Sequence, residues 1–491
     1  MTQQRAALVV GNGAYIGRNT TKLRNAVNDA TAIARKLKKY GFGVTAVADG
    51  ALSEMRAALS TFKAAIQPNG VALVFFAGHG IQIDGENYLL ACDTDAHGEN
   101  EAKFSSLSLD QVIDALDRSK ADTKIIILDA CRENPFESAW NRSAATRGLA
   151  SVFAPRGTII AYATSPGQIA LDGSSSNGVY TGALLQHIDT PDCPIETIFK
   201  RVRNAVAAET SGRQITWEHT SLAGDFYFNT SAGSFVTAYR PSSLADNLFV
   251  LDDGKKSHQI IRGLKSYDWY TQNPALERLK PGLANTIEDD NLFVLGRNIY
   301  QAANGGARTA EAFIRDFVDR TRGITPDKIR ALLDGMLFEI FFDSKGELRE
   351  TIKGNMFDEL FELQKFPQFK DSFDFIADTL IGAHGSFYAV PGKGHTLSVS
   401  VVTEKDPRGR RITGVFIDTV NVFGLLEPEY AEDDDDEDAP APTRAISSDA
   451  LESELAKDLV VPSRLLQVRY APPLQPGDKL RYPHGWGVGK R

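Results

Sequence analysis

In the first half of the chain, apolar residues fall in short unbroken runs separated by amphipathic stretches. Residues 71–80, VALVFFAGHG, and 123–132, TKIIILDACR, are the clearest of these runs. Each stops abruptly at a polar, reactive residue. Such runs read as strands buried on both faces of a parallel sheet. Between the runs, Leu23, Val27, Ala30, Ile33, Ala34 and Leu37 recur at helical spacing, which predicts a helix over 23–40 with Gly41 as its C-terminal cap. The same reading predicts strands at 5–10, 42–47, 86–91, 157–163 and 225–228. It predicts helices at 53–66 (Ser53 as N-cap), 108–116, 179–188 and 195–209. Strands alternating with helices imply crossover connections and a mainly parallel central sheet, an α/β fold.

Around residues 229–243 the composition turns to Ser, Thr, Gly and Pro, and a first domain over 1–230 is expected to end there. The region 240–430 mixes helices and strands without alternation and reads as an α+β domain. Thr325-Pro326 starts a helix running to Phe341. Segments 386–390, 396–402 and 411–418 look like antiparallel strands, the last two joined by a turn at 406–409. The hexapeptide DNLFVL occurs at 246–251 and 290–295, but its flanks differ, so coincidence or a small duplication is favoured over a repeat architecture. An acidic run followed by Ala-Pro-Ala-Pro marks 431–444 as a solvated linker, and 445–491 is expected to be a C-terminal tail with a helical pattern at 451–459.

Length and composition narrow the class. A chain of 491 residues implies two domains or more. A net charge of -9 argues against a general nucleic-acid binder. Three cysteines, Cys92, Cys131 and Cys193, argue against a disulfide scaffold and for a reducing compartment. The first apolar run is too short for a signal peptide, and no run would cross a bilayer. A cytoplasmic location without membrane contact is expected.

The chemistry sits where the two strongest runs end, beyond the carboxyl ends of the strands. His79 can take a proton from a thiol and return it to a leaving amine, and Cys131 supplies the thiol. The Gly80 N–H, with no side chain over it, can approach a bound carbonyl and form an oxyanion hole with the Cys131 N–H. Either residue alone would read as structural, since buried cysteines are common. A rival reading takes Gly11-Asn12-Gly13 after the first strand, with Asp49 ending the second, as a dinucleotide loop. The spacing is not G-x-G-x-x-G, and a lone glycine pattern is weak.

The elements LRNAVNDA, FFAGHG, YLLACDTD and ILDACRENPF, in this order, resemble the caspase-like peptidases of clan CD, especially bacterial caspase-domain proteins and metacaspases. IIAYATSPG, NGVYTGALLQHI and WEHTSLAGDFYF resemble the later half of the same domain, so the resemblance spans about 5–229. It implies a three-layer caspase-like sandwich and a Cys131–His79 dyad. It also implies a pocket in which Asp29 and Asp129 hold a basic P1 side chain, as a guanidinium or ammonium in a partly buried site requires. Asp cleavers place an arginine in that pocket; Arg24 is nearby but shifted. Arg132 follows the nucleophile where metacaspases usually carry His. Relatives are often cut after the nucleophile strand, which makes Arg142, Arg147 and Arg156 candidate self-cleavage sites.

The sequence thus reads as a cysteine endopeptidase cleaving after Arg or Lys in protein or peptide substrates. The C-terminal region would be a regulator or sensor with a ligand or protein partner of its own, in stress or phage defence by analogy only. A second reading from another class is a catalytically silent caspase-fold interaction module. No cofactor is assigned. Some metacaspases need calcium, but Asp93 and Asp95 offer two carboxylates where calcium takes six or more oxygens. The other histidines show no zinc spacing.

Overall fold

The computed structural model describes residues 4–17, 20–95, 97–131, 154–165, 170, 175–385, 387–425, 443–475 and 477–488, with the backbone alone at Cys131, Asp406 and Leu425. The chain forms two compact units, Met1–Thr230 and Ser231–Arg491.

The first unit is an α/β sandwich. Its strands are β1 (Arg5–Gly11), β2 (Phe42–Ala48), β3 (Val71–Ile83), β4 (Glu86–Leu90), β5 (Ser106–Ser108), β6 (Thr123–Cys131), β7 (Thr158–Tyr162) and β8 (Trp217–Thr220). Its helices are α1 (Ala26–Lys39), α2 (Leu52–Ala65), α3 (Glu99–Phe104), α4 (Leu109–Asp117), α5 (Val179–His187) and α6 (Ile195–Glu209). The main sheet runs β2-β1-β3-β6-β7-β8, parallel except for β8. Alternate residues of the central strands feed two cores. Val9, Phe75 and Ile127 pack with α1, α5 and α6, whereas Val10, Phe76 and Ile126 pack with α2 and α4. Burial on both faces explains why these strands read as unbroken apolar runs.

Several expectations need correction. Strand β3 does not end at His79-Gly80. It continues to Ile83 and turns back through Asp84 and Gly85 into β4. Helix α2 starts one residue early, so Ser53 is not its cap. The Glu54 carboxylate accepts the Ala51 N–H and the Asp93 carboxylate accepts the Leu52 N–H, which meets the same need at the helix start. Residues 225–228 are not a sheet strand. Phe226 and Phe228 fill the core beneath α6, while the Arg5 guanidinium holds the Tyr227 and Phe228 carbonyls at 3.2 Å. The edge strand is instead β8, antiparallel to β7.

The second unit combines a helical core with a separate sheet. Pro326–Phe341 forms a helix entered through Thr325, as the Thr-Pro pair predicts, and packs on Asp289–Asn304. The two DNLFVL copies differ: the first begins with a short 3-10 turn at Asp246–Leu248, and the second lies within the helix Asp289–Asn304. Identical sequence in two conformations excludes a repeated structural unit and shows tertiary context overriding local preference. Strands Leu397–Asp406 and Gly409–Ile417 pair antiparallel as expected. Of the segment 386–390, residues 387–390 form no strand, and 386 lies outside the described residues. The expected tail is part of the fold: Thr443–Ile446, Leu466–Ala471 and Leu480–Pro483 complete the sheet around that hairpin, and Leu451, Leu455 and Leu459 enter its core. The local pattern of 445–491 does not show this in sequence, because the pairing partners of its strands lie tens of residues away. No helix among the described residues is long and apolar enough to cross a membrane.

Asp334 is buried in the helical core, where it accepts the Tyr239 hydroxyl at 2.7 Å, and burial pushes its carboxyl up to about 6. The unfolded value is near 3.9. A carboxyl raised by folding contributes stability that is complete below the unfolded value and lost as pH rises through about 6. Asp334→Asn keeps an acceptor for Tyr239 and removes the charge. Chemical denaturation of the second unit should show the variant gaining on the wild type between pH 4 and pH 7, by an amount on the order of 2–3 kcal/mol. A difference that stays flat across this range would refute the assignment.

Candidate active site

The carboxyl ends of β3 and β6 are joined in register. Phe76 pairs with Leu128, Ala77 with Asp129, Gly78 with Ala130, and His79 with Cys131. One inter-strand spacing, about 4.8 Å, therefore separates the backbones of residues 79 and 131. His79 is only 5% exposed. Its Nε2 lies 2.7 Å from the Thr21 carbonyl oxygen. A carbonyl can only accept, so Nε2 carries the proton of the neutral ring and Nδ1 holds the lone pair. The His79 N–H donates to the Tyr15 hydroxyl at 2.8 Å, and the Tyr15 ring packs on the imidazole at 4.8 Å between centroids.

The Gly80 N–H can be placed from the ladder. A hairpin closed by two residues makes its flanking pair a hydrogen-bonded one, and pairs alternate from there. Ile83/Glu86 and Ile81/Tyr88 are then the bonded pairs, and Gly80/Leu89 is not. Since successive N–H groups alternate, that of Gly80 faces away from Tyr15 and β4, toward the β6 edge where Cys131 lies.

Asp29 and Asp129 come from different elements, α1 and β6, yet converge. Asp29 is 3% exposed, and its Oδ1 accepts the Asn177 side chain at 2.9 Å and the Gly178 N–H at 3.0 Å. Asp129 is half-buried and its Oδ2 accepts the Thr181 hydroxyl at 2.6 Å. The position a Cβ would take on Gly178 lies 3.2 Å from Asp29 Oδ2 and 3.6 Å from Asp129 Oδ2. Two carboxylates thus converge on one point at the start of α5, where a side chain in place of Gly178 would crowd them. Burial and the charge of Asp129 push the nearby Tyr180 phenol far up, which keeps it neutral. Arg24 is exposed, whereas Asp29 is buried.

Comparison with known proteins bears on the same stretch. The family model of the caspase domain matches residues 4–227. The first unit is a caspase domain. The chain is also similar to the human mucosa-associated lymphoid tissue lymphoma translocation protein 1, with 23% identity over 184 residues, 37% of this chain and 21% of that protein. Among solved structures, caspase-1 from Spodoptera frugiperda aligns at 16% identity with a TM-score of 0.36, covering 46% of this chain and 90% of that one.

Within the caspase domain the rival glycine-loop reading fails. The Gly13 and Ala14 N–H groups both donate to Asp49 Oδ1, at 2.7 and 2.8 Å, and Asn12 holds the Gly50 N–H and the Leu90 carbonyl. The amides that would cradle a phosphate are used internally. The Asp93 carboxylate is engaged at the start of α2, and Asp95 bonds the His97 ring. No group of three or more metal-ligating side chains gathers among the described residues. Arg142 and Arg147 lie outside the described residues. Arg156 is exposed, but the peptide bond after it is held on both sides: its carbonyl accepts the Lys124 ammonium at 3.2 Å, and the Gly157 N–H donates to Ser221 at 3.0 Å. That geometry argues against cleavage there.

Sequence reasoning missed Tyr15, Thr21, Gly178 and Thr181. Thr21 acts through its carbonyl, so its side-chain type carries no signal. Gly178 and Thr181 stand in the NGVYTG segment quoted for the resemblance, but only coordinates bring them to the carboxylates.

The surroundings of Cys92 suppress its reactivity. Burial, then the Asp49 carboxylate, pushes the Cys92 thiol up to about 12. At pH 8 its thiolate fraction is then about one in ten thousand. Iodoacetamide at pH 8 followed by peptide mass spectrometry should leave Cys92 unmodified in the folded protein and label it after denaturation. Rapid labelling in the folded state would contradict this environment.

Proposed function

We propose that this protein is a cysteine endopeptidase that cleaves after arginine or lysine. The observation that carries the reading is the convergence of two carboxylates, Asp29 of α1 and Asp129 of β6, on the start of α5, with the last residue of β6 register-paired with His79. A P1 guanidinium offers several donors in a rigid fork and suits two carboxylates, whereas an acidic P1 residue would be repelled.

In the proposed reaction the Cys131 sulfur attacks the scissile carbonyl carbon, and His79 Nδ1 takes the thiol proton. The Thr21 carbonyl holds Nε2–H throughout and stabilises the imidazolium. The N–H groups of Gly80 and Cys131 stabilise the oxyanion, a contribution typically worth 10²–10³ in rate per donor. His79 then delivers its proton to the leaving amine. The thioester is hydrolysed by water that His79 deprotonates, which regenerates the thiol. The second unit, with its own core, is proposed as a regulator of this chemistry.

A fluorogenic Arg-peptide with an Asp-peptide control tests the reading. Wild type should hydrolyse the Arg and Lys substrates and spare the Asp one, and Cys131→Ala should abolish turnover. Asp29→Asn and Asp129→Asn should each lower kcat/KM for the Arg substrate about 10- to 100-fold, the order of one lost charge-assisted hydrogen bond. Preference for the Asp substrate, or activity that survives Cys131→Ala, would overturn the proposal. A second outcome concerns processing. Purified wild type incubated alone should yield fragments ending at Arg142 or Arg147 and none at Arg156, with Cys131→Ala remaining intact. Cleavage after Arg156 in folded protein would contradict the pinned geometry of that bond.

A further inference from the structure

His79 stands at a gap in the sheet. On one edge β3 pairs with β1 only as far as Ala77, whose carbonyl accepts the Asn12 N–H at 2.9 Å. On the same edge β4 takes over from Gly80, with Ile81 the first hydrogen-bonded position by the alternation set out above. The His79 N–H falls between the two partners. A buried amide without an acceptor is costly, so something must fill the gap. The Tyr15 hydroxyl does so at 2.8 Å.

Tyr15 is itself fixed. It is 2% exposed and packs with Ile81, Ile83, Tyr88 and Leu90. Its ring lies against the imidazole at 4.8 Å with 46° between planes. The neighbouring position is fitted around it: a Cβ on Gly78 would come within 2.7 Å of the Tyr15 oxygen. Backbone, ring face and ring edge of His79 are thereby held by the Tyr15 hydroxyl, the Tyr15 ring and the Thr21 carbonyl.

We infer that Tyr15 is a positioning residue for catalysis, setting the place and rotamer of His79 so that Nδ1 is presented toward the β6 edge. It touches neither substrate nor thiol in this account and acts only through the imidazole. The inference rests on the peptidase reading for its kinetic consequence, but not for its structural one.

Tyr15→Phe keeps the ring and removes the acceptor. With an Arg-peptide substrate, the variant should lose about tenfold or more in kcat with KM unchanged, and its affinity for agmatine, a guanidinium probe of the pocket, should equal that of wild type. The 15N chemical shifts of the His79 ring give a readout independent of turnover. In wild type they should report protonated Nε2 and unprotonated Nδ1 at high pH, and in Tyr15→Phe a mixture of both tautomers. Unchanged ring shifts overturn the inference, as does a kcat within twofold of wild type. A fall in agmatine affinity parallel to that in kcat also overturns it, because that marks a general loosening of the site. If wild type hydrolyses no peptide, the peptidase proposal fails, and the ring shifts still decide the role of Tyr15.

Discussion

The in-register pairing of β3 with β6 is the constraint on which the first unit depends. Both strands are buried on two faces, so a slip of one residue would send each apolar set to the wrong core. The same register that keeps Phe75 and Ile127 on one side and Phe76 and Ile126 on the other also sets residue 79 beside residue 131. The energy that sets these two residues side by side is therefore the burial energy of the whole sheet, and the proposed site needs few contacts of its own. Those it has serve orientation: a carbonyl for the histidine edge, a hydroxyl for its backbone, and a threonine for one carboxylate.

The two carboxylates face a different demand. Asp29 lies buried on α1 and Asp129 half-buried at the end of β6, and charges so placed need partners. The backbone N–H of Gly178, the Asn177 amide and the Thr181 hydroxyl supply three of them from the segment that opens α5. That segment thus does two things: it starts a helix and it holds the acids at a common point. This is how a fold built for burial comes to hold two acids beside the edge proposed to be reactive.

The α/β alternation and the paired strand ends were legible because burial on both faces leaves a one-dimensional trace, as in residues 71–80 and 123–132. The helix beginning at Pro326 was legible because Thr-Pro fixes its start locally. Legibility failed where the cause is non-local. The cap of α2 comes from Asp93, some forty residues after the helix start, so Ser53 was the wrong inference from a sound rule. The two DNLFVL copies adopt different conformations because their neighbours differ. Strands Leu466–Ala471 and Leu480–Pro483 find partners in Leu397–Asp406 and Gly409–Ile417 that no local pattern announces. At the proposed site, candidate side chains could be named from type and position. The groups that steer them, a threonine carbonyl and a tyrosine hydroxyl set in a gap of the ladder, could not.

The claim at the centre is that the thiol of residue 131 and the imidazole of residue 79 work as one chemical unit. The most direct measurement is the pH dependence of Cys131 alkylation, followed by peptide mass spectrometry in wild type and in His79→Ala. Coupling predicts that the wild-type rate inflects well below the free-thiol value of about 8.5, and that the inflection moves up to that value when the imidazole is removed. Superimposable profiles in the two proteins would contradict it.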